Sequence, residues 1–181
     1  MSKKKFLIIG RSCTGKSSLS REVCKRLGLR QVKSYTTRPM RPSENPETSD
    51  HYFISPEEVK NYKGSIAAYT EINGYQYFTT TDALEQCDIY VIDPNGVEDL
   101  RQRIGDRFEL IPIYLRVPKS VAKRRAVQRK DGLFDERLEK ENEQFSQYEK
   151  DMPWYYHILN DGTFEEGVEK LERIIKKELG K

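Results

Sequence analysis

The sequence predicts an α/β protein built on a parallel sheet. Three observations carry that reading. Short apolar runs that read as buried strands alternate with helical patterns. No apolar run approaches the ~20 residues that a membrane span needs. The stretch from about residue 35 to 80 breaks the alternation and reads as a small mixed-β lobe inserted after the first helix. At 181 residues the chain is long enough for one domain with a core of its own.

Lys5-Phe-Leu-Ile-Ile-Gly10 reads as a buried parallel strand. From Lys16 to Leu27 the pattern turns helical, with Leu19, Val23 and Leu27 on one face, and Gly28 stops it. Ser34 to Asp50 is rich in Pro, Ser, Thr and Arg, has no period, and is expected as an ordered loop. Ser55-Pro-Glu-Glu58 has the capping-box spacing and opens a short helix to about Tyr62. Ile66 to Thr80 reads as strand-turn-strand, turning at Asn73-Gly74. Ile89–Ile92 and Leu110–Val117 are further strands, with a helix over Val97–Ile104 between them. Ser120 to Tyr148 is helical and highly charged, with a break near Asp131-Gly132. Tyr155–Leu159 reads as a last strand. The spacing of Thr163 and Glu166 opens a final helix, with Val168, Leu171, Ile174 and Ile175 on one face.

Composition excludes several function classes. Lys and Arg number 32 against 29 Asp and Glu, a net charge of +3, too balanced for a surface that coats nucleic acid. The three cysteines, Cys13, Cys24 and Cys87, are odd in number and lack metal-like spacing, so neither a disulfide scaffold nor a zinc site is expected. The apolar stretch Phe6–Ile9 behind the basic start is too short for a signal-peptide core. A cytoplasmic protein with no membrane or nucleic-acid partner is expected, a monomer or a homodimer.

Gly10-Arg11-Ser12-Cys13-Thr14-Gly15-Lys16-Ser17 has the G-x4-G-K-[ST] spacing between a strand and a helix. Backbone N–H groups opened by glycine can curl around phosphate oxygens, and the helix N-terminus adds positive potential. Lys16 is suited to the β- and γ-phosphates of a nucleotide, and the Ser17 hydroxyl to Mg²⁺; the loop alone names no substrate, since ATPases, GTPases and small-molecule kinases all carry one. Ser18 is included as a further hydroxyl that either meets a phosphate or caps the helix. A second anion site is read in Ser34-Tyr-Thr-Thr-Arg38-Pro-Met-Arg41-Pro42, where two forked guanidiniums on a proline-stiffened loop suit a phosphate dianion.

The phosphate loop, the Thr-Thr-Arg38-x-x-Arg41-Pro stretch, Asp50-x-Tyr52-Phe53, Tyr69-x-Glu71-x-x-Gly74-x-x-Tyr77-x-Thr79 and Asp93-x-x-Gly96 follow one another in an order that resembles the guanylate kinase family, from about residue 4 to 175. The resemblance implies a P-loop three-layer core (about 1–33, 81–122 and 150–181), a GMP-binding lobe (about 34–80) and a helical lid (about 123–149). It implies ATP-dependent phosphorylation of GMP and dGMP. Ser34, Arg38, Arg41, Tyr52 and Tyr77 would hold the GMP phosphate, while Glu71, Thr79 and Asp93 would read the guanine. A carboxylate at Glu71 suits that base, because guanine presents N1–H and an exocyclic amine side by side. Arg125, Arg129 and Arg137 would flank the lid and, with Lys16, Arg38 and Arg41, neutralise the transferring phosphoryl group. Asn160 would lie near the adenine. The chain departs from the family pattern at Arg11, Cys13, Ser43, Phe78 and Val91, the last standing where an acid that orders magnesium is usual. Two other readings stay open on sequence: a kinase of the same fold with another phosphorylated acceptor, and an inactive binding domain of this shape.

Overall fold

Strand β1 (Lys3–Ile9) is apolar on both faces and takes the middle of a four-stranded sheet. A computed structural model describes residues 3–41, 44–129, 132, 134–151 and 156–181. The elements after β1 are α1 (Lys16–Leu27), β2 (Ser34–Thr36), β3 (His51–Phe53), a 3-10 helix (Pro56–Tyr62), β4 (Ile66–Ile72), β5 (Tyr75–Thr80) and α2 (Thr81–Gln86). They continue with β6 (Ile89–Val91), α3 (Pro94–Ile104), a 3-10 turn (Gly105–Arg107), β7 (Phe108–Arg116), α4 (Lys119–Gln128), α5 (Phe134–Asp151), β8 (Tyr156–Leu159) and α6 (Phe164–Leu179).

The first sheet runs β6-β1-β7-β8, and every pairing in it is parallel. The period-2 alternation of β1 sends Phe6 and Ile8 to one layer, where they meet Leu19 and Val23 of α1 and Val168, Leu171 and Ile175 of α6. Leu7 and Ile9 face the opposite layer, with Val97 and Leu100 of α3 and Phe145 and Tyr148 of α5. This is the three-layer arrangement expected. The second sheet runs β3-β2-β5-β4 and is mixed: β2 pairs β3 in parallel and β5 antiparallel. Its aromatic packing joins Tyr35, Tyr62 and Phe78, with Tyr35 stacked on Phe78 at 5.1 Å. Phe78, a departure from the family pattern, is therefore fully buried core.

Local signals locate most elements. Asn73 and Gly74 both take positive φ (55° and 76°), the turn expected between β4 and β5. The Thr163–Glu166 and Ser55–Glu58 capping boxes are both closed, although the second opens a 3-10 helix and not an α-helix. The segment expected as loop from Ser34 to Asp50 starts instead in β2, and Thr81–Gln86, unassigned by pattern, is a helix capped by Thr80. The long charged segment divides into α4 and α5; of the expected break, Gly132 is a turn and Asp131 lies outside the described residues, as do Pro42, Ser43 and Tyr155.

Of the three lysines that open β1, Lys5 is the buried one. It is 1 % exposed, and its ammonium donates to the carbonyls of Leu84, Glu85 and Cys87, closing the C-terminal end of α2. Burial pushes its pKa down to about 8. An unfolded lysine keeps its proton to ~10.4, so between those values the unfolded state binds more protons and stability rises with pH. Urea melts should show the stability gap between the parent and Lys5→Met widening from pH ~8 to ~10. A flat gap would mean that Lys5 stays charged in the folded protein.

Candidate active site

The turn from β1 into α1 is shaped by backbone proximity. A Cβ on Gly10 would stand 2.5 Å from the Leu115 carbonyl oxygen, and one on Gly15 (φ 95°) 2.8 Å from Asn160 Nδ2. Thr14 Oγ1 donates to the Arg11 carbonyl at 2.9 Å and ties the loop across its own base. Lys16 folds back over the loop, donating to Gly10 O at 2.6 Å and Arg11 O at 2.9 Å. Burial lowers its pKa, opposed by the nearby charge of Glu141. Ser17 and Ser18 follow in the first turn of α1.

Cys13 holds φ 62° without being glycine. Its side chain is buried with Ala122 and Ala126 of α4 and Phe134 of α5, so the departure from glycine pins the phosphate loop to the helices beside it. Arg125 works from the same side: Nη2 donates to Asn160 O at 2.9 Å and Nη1 to Cys13 O at 3.4 Å. Asn160 is buried beneath the loop, where Nδ2 donates to Thr14 O at 2.8 Å. Both residues support the loop from behind. Arg129 is the exposed C-cap of α4, and none of the described contacts brings it to the loop. The Arg11 side chain turns away from the loop to α5, donating to Asn142 Oδ1 at 2.7 Å.

The second anion site lies on the second sheet. Arg38 donates from Nη1 and Nη2 to the two carboxylate oxygens of Glu44 (2.8 and 2.9 Å) and from Nη1 to Pro39 O (2.8 Å). Burial works against its charge, yet the fork on Glu44 more than offsets this and raises its pKa. A guanidinium has five N–H donors. The Nε–H and the second Nη2–H lie on its other edge, which is itself a two-pronged donor for a phosphate. The Tyr77 hydroxyl lies against the same guanidinium. Arg41 is exposed, and Glu44 accepts its backbone N–H at 2.8 Å. Ser34 is buried, and its hydroxyl shares a 2.8 Å hydrogen bond with His51 Nδ1. His51 is pushed down to about 4 by burial and by the charge of Arg38, and so is neutral near pH 7. Tyr52 is largely exposed, with Lys33 Nζ 4.6 Å from its ring centre.

A cleft of about 630 Å³ opens between the end of β4, α3 and α5, lined by Glu71, Asn95, Arg137, Glu141 and Gln144 among others. Glu71 makes no hydrogen bond or ion pair among the described residues. The buried Thr79 hydroxyl has no partner among them either. Asp93 caps α3: its Oδ1 accepts from the N–H groups of Asn95 (3.0 Å) and Gly96 (3.2 Å), from Thr70 Oγ1 (3.2 Å) and from Gln144 Nε2 (2.7 Å). Burial nevertheless raises its pKa. Arg137 lines this cleft, and burial together with the like charge of Arg41 lowers its pKa. Val91, standing where an acid was looked for, packs against the apolar layer under α1 and α6.

Sequence reasoning missed Glu44, His51, Glu141 and Gln144. Glu44 stands three residues after Arg41, a spacing that could have marked it. The others meet the site only through tertiary packing.

A guanylate kinase family model matches residues 2–178. The guanylate kinase of Legionella pneumophila is 28% identical over 181 residues, spanning 94% of this chain and 84% of that protein. That of Geobacter sulfurreducens is 26% identical over 179 residues, with 94% and 86% spanned. The crystal structure of guanylate kinase from Anaplasma phagocytophilum superposes with a TM-score of 0.72 at 22% identity, covering 98% of this chain and 87% of that one.

The geometry at Cys13 generates a test. Cys13→Gly keeps the left-handed turn and empties the small apolar cluster, whereas Cys13→Val fills the cluster with a β-branched residue that rarely takes positive φ. Titration with ADP should show Cys13→Val weakened by ~10-fold and Cys13→Gly by less, the strain being of order 1–3 kcal/mol. Equal affinities would show that the loop does not need its left-handed residue.

Proposed function

The chain belongs to the guanylate kinase family, and from that premise we propose which of its residues carry the ATP-dependent phosphorylation of GMP. ATP binds at the phosphate loop, with its β- and γ-phosphates against the backbone of residues 10–17 and Lys16. The GMP phosphate is held by the open edge of Arg38, by Arg41 and by the Tyr77 and Tyr52 hydroxyls. Glu71 accepts from guanine N1–H and the exocyclic amine, and the unpaired Thr79 hydroxyl supplies a further contact. Ser34, oriented by neutral His51, closes that side of the pocket. The observation that carries this reading is the pair of anion sites itself: a glycine-cleared phosphate loop with Lys16 folded over it, and the Arg38 guanidinium held on Glu44 with its other edge turned out.

Transfer between these sites is direct. A GMP phosphate oxygen is already a nucleophile, so it attacks the γ-phosphorus in line and ADP leaves, with no covalent enzyme intermediate and no strong base. Catalysis is positioning and charge neutralisation by Lys16, Arg38, Arg41 and Arg137. Arg125 contributes by tying the loop carbonyls of Cys13 and Thr14 to Asn160 O. The segment carrying Arg137 acts as a lid that keeps water from the γ-phosphate.

Magnesium fits this site in one way. No group of three acidic, His or Cys residues able to cage a metal occurs among the described residues. Mg²⁺ in kinases is held largely by substrate phosphates with one or two protein ligands, and Ser17 is the ligand assigned here. The ion would screen charge on the β- and γ-phosphates. Among the described residues no helix is long and apolar enough to cross a membrane; three free thiols and soluble nucleotide substrates fit a cytoplasmic location.

Two substitutions test the reading. Lys16→Met should lower turnover by ~10²–10³-fold while the melting temperature moves little. Near-normal transfer would remove the donor assignment. Glu71→Gln loses a charge and one acceptor, so the KM for GMP should rise by ~10–100-fold with the KM for ATP nearly unchanged. The parent should use GMP and dGMP well, IMP less, and AMP hardly at all. A parent that prefers AMP would overturn the role of Glu71.

A further inference from the structure

The phosphate loop already holds an anion. Ser12 N–H donates to Glu141 Oε2 at 2.9 Å and Oε1 at 3.2 Å, and the Ser12 hydroxyl donates to the same carboxylate. Glu141 lies on α5 one turn after Arg137, and its charge favours the protonated form of Lys16. It therefore occupies the N–H and hydroxyl of Ser12, groups that in a phosphate loop serve phosphate oxygens, and adds negative potential at Lys16. The helix is fastened in this position. Arg11 donates to Asn142 at 2.7 Å and to Glu149 at 3.3 and 3.4 Å, and lies 5.2 Å from the Phe145 ring centre. Tyr114 donates to Glu149 from the floor of the site.

We propose that Glu141 is a donor-site residue, the resident anion of the phosphate loop, which the terminal phosphates of ATP must displace from Ser12 in order to bind. This rests on the assignment of ATP to that loop. A carboxylate and a phosphate oxygen cannot both accept the Ser12 N–H, and two anions at one amide repel. ATP prevails because it brings more charge and fills more of the loop. Its affinity is lowered by the bonds that Glu141 gives up. Displacement also moves the segment of α5 that carries Arg137, so donor binding and placement of that arginine are one event. In the alternative, Glu141 is a surface carboxylate paired along its helix with Arg137, and ATP binding would not sense its removal.

Isothermal titration of the full chain with the non-hydrolysable β,γ-imido analogue of ATP and Mg²⁺, without GMP, separates the two. Glu141→Gln keeps the shape and removes the charge; Glu141→Ala removes both; Glu139→Ala removes one charge from an exposed position of the same helix. Both Glu141 variants should bind the analogue about tenfold more tightly than the parent, the effect of losing one charge-assisted competitor. Pyrophosphate should show the same gain, and Glu139→Ala and GMP affinity should stay within about twofold. Unchanged or weaker analogue binding in the Glu141 variants, or an equal gain in Glu139→Ala, overturns the proposal. A parent that fails to bind the analogue at all overturns the donor assignment itself.

Discussion

Gly10 lies so close to the Leu115 carbonyl that no side chain fits between β1 and β7 at that level, and the donor half of the molecule is arranged around this approach. It lets the chain leave the central strand and curl at once into α1. Beneath the curl, buried Asn160 is clasped by two further glycines. A Cβ on Gly15 would press on its Nδ2 and one on Gly167 on its Oδ1, at 2.8 and 2.4 Å. The amide thus fits between α1 and α6 only because both helices yield space to it, and from there it fixes Thr14 O. Arg125 donates to the preceding carbonyl, Cys13 O, and shares Thr14 O with the amide. The carbonyls of Gly10, Arg11, Cys13 and Thr14 are thus all engaged, which holds the loop in one conformation.

The second sheet solves a different problem. Arg38 and Arg41, the arginines proposed for the acceptor phosphate, sit on an irregular segment, which by itself would sample many conformations. Both ends are pinned by the parallel pairing of β2 with β3, in the register Ser34 with His51 to Thr36 with Phe53. The aromatic stack of Tyr35, Tyr62 and Phe78 secures that pair from below.

What was legible in the sequence follows from how local each signal is. The phosphate-loop spacing, α1, the Asn73-Gly74 turn and α6 are written in contiguous residues, and α1 and the turn fall where the pattern places them. Strands β2 and β3 are three residues each in a Pro- and Arg-rich stretch, too short to show a period, and they exist through each other. The site divides in the same way. Arg38 and Arg41 announce themselves by spacing, but the fork of Arg38 on Glu44 and the contact of Glu141 with Ser12 are set by chain folding. Asn160 was marked as functional for its place after the last strand; its depth beneath the loop could not be read from that place. Val91 shows the reverse case, a position judged by its missing acid that the fold uses for packing.

The grip of Glu44 on Arg38 has an entropic side. A free arginine side chain carries ~2 kcal/mol of rotamer freedom, which a ligand must quench when it orders the group. Here that freedom is lost when the protein folds, so the guanidinium meets a phosphate already immobile. The same carboxylate cancels the far field of the arginine. With a net charge of only +3 on the whole chain, little potential remains to draw anions from a distance. An anion offered to such a pocket gains little from long-range attraction, so its retention depends on short-range fit to the preset guanidinium.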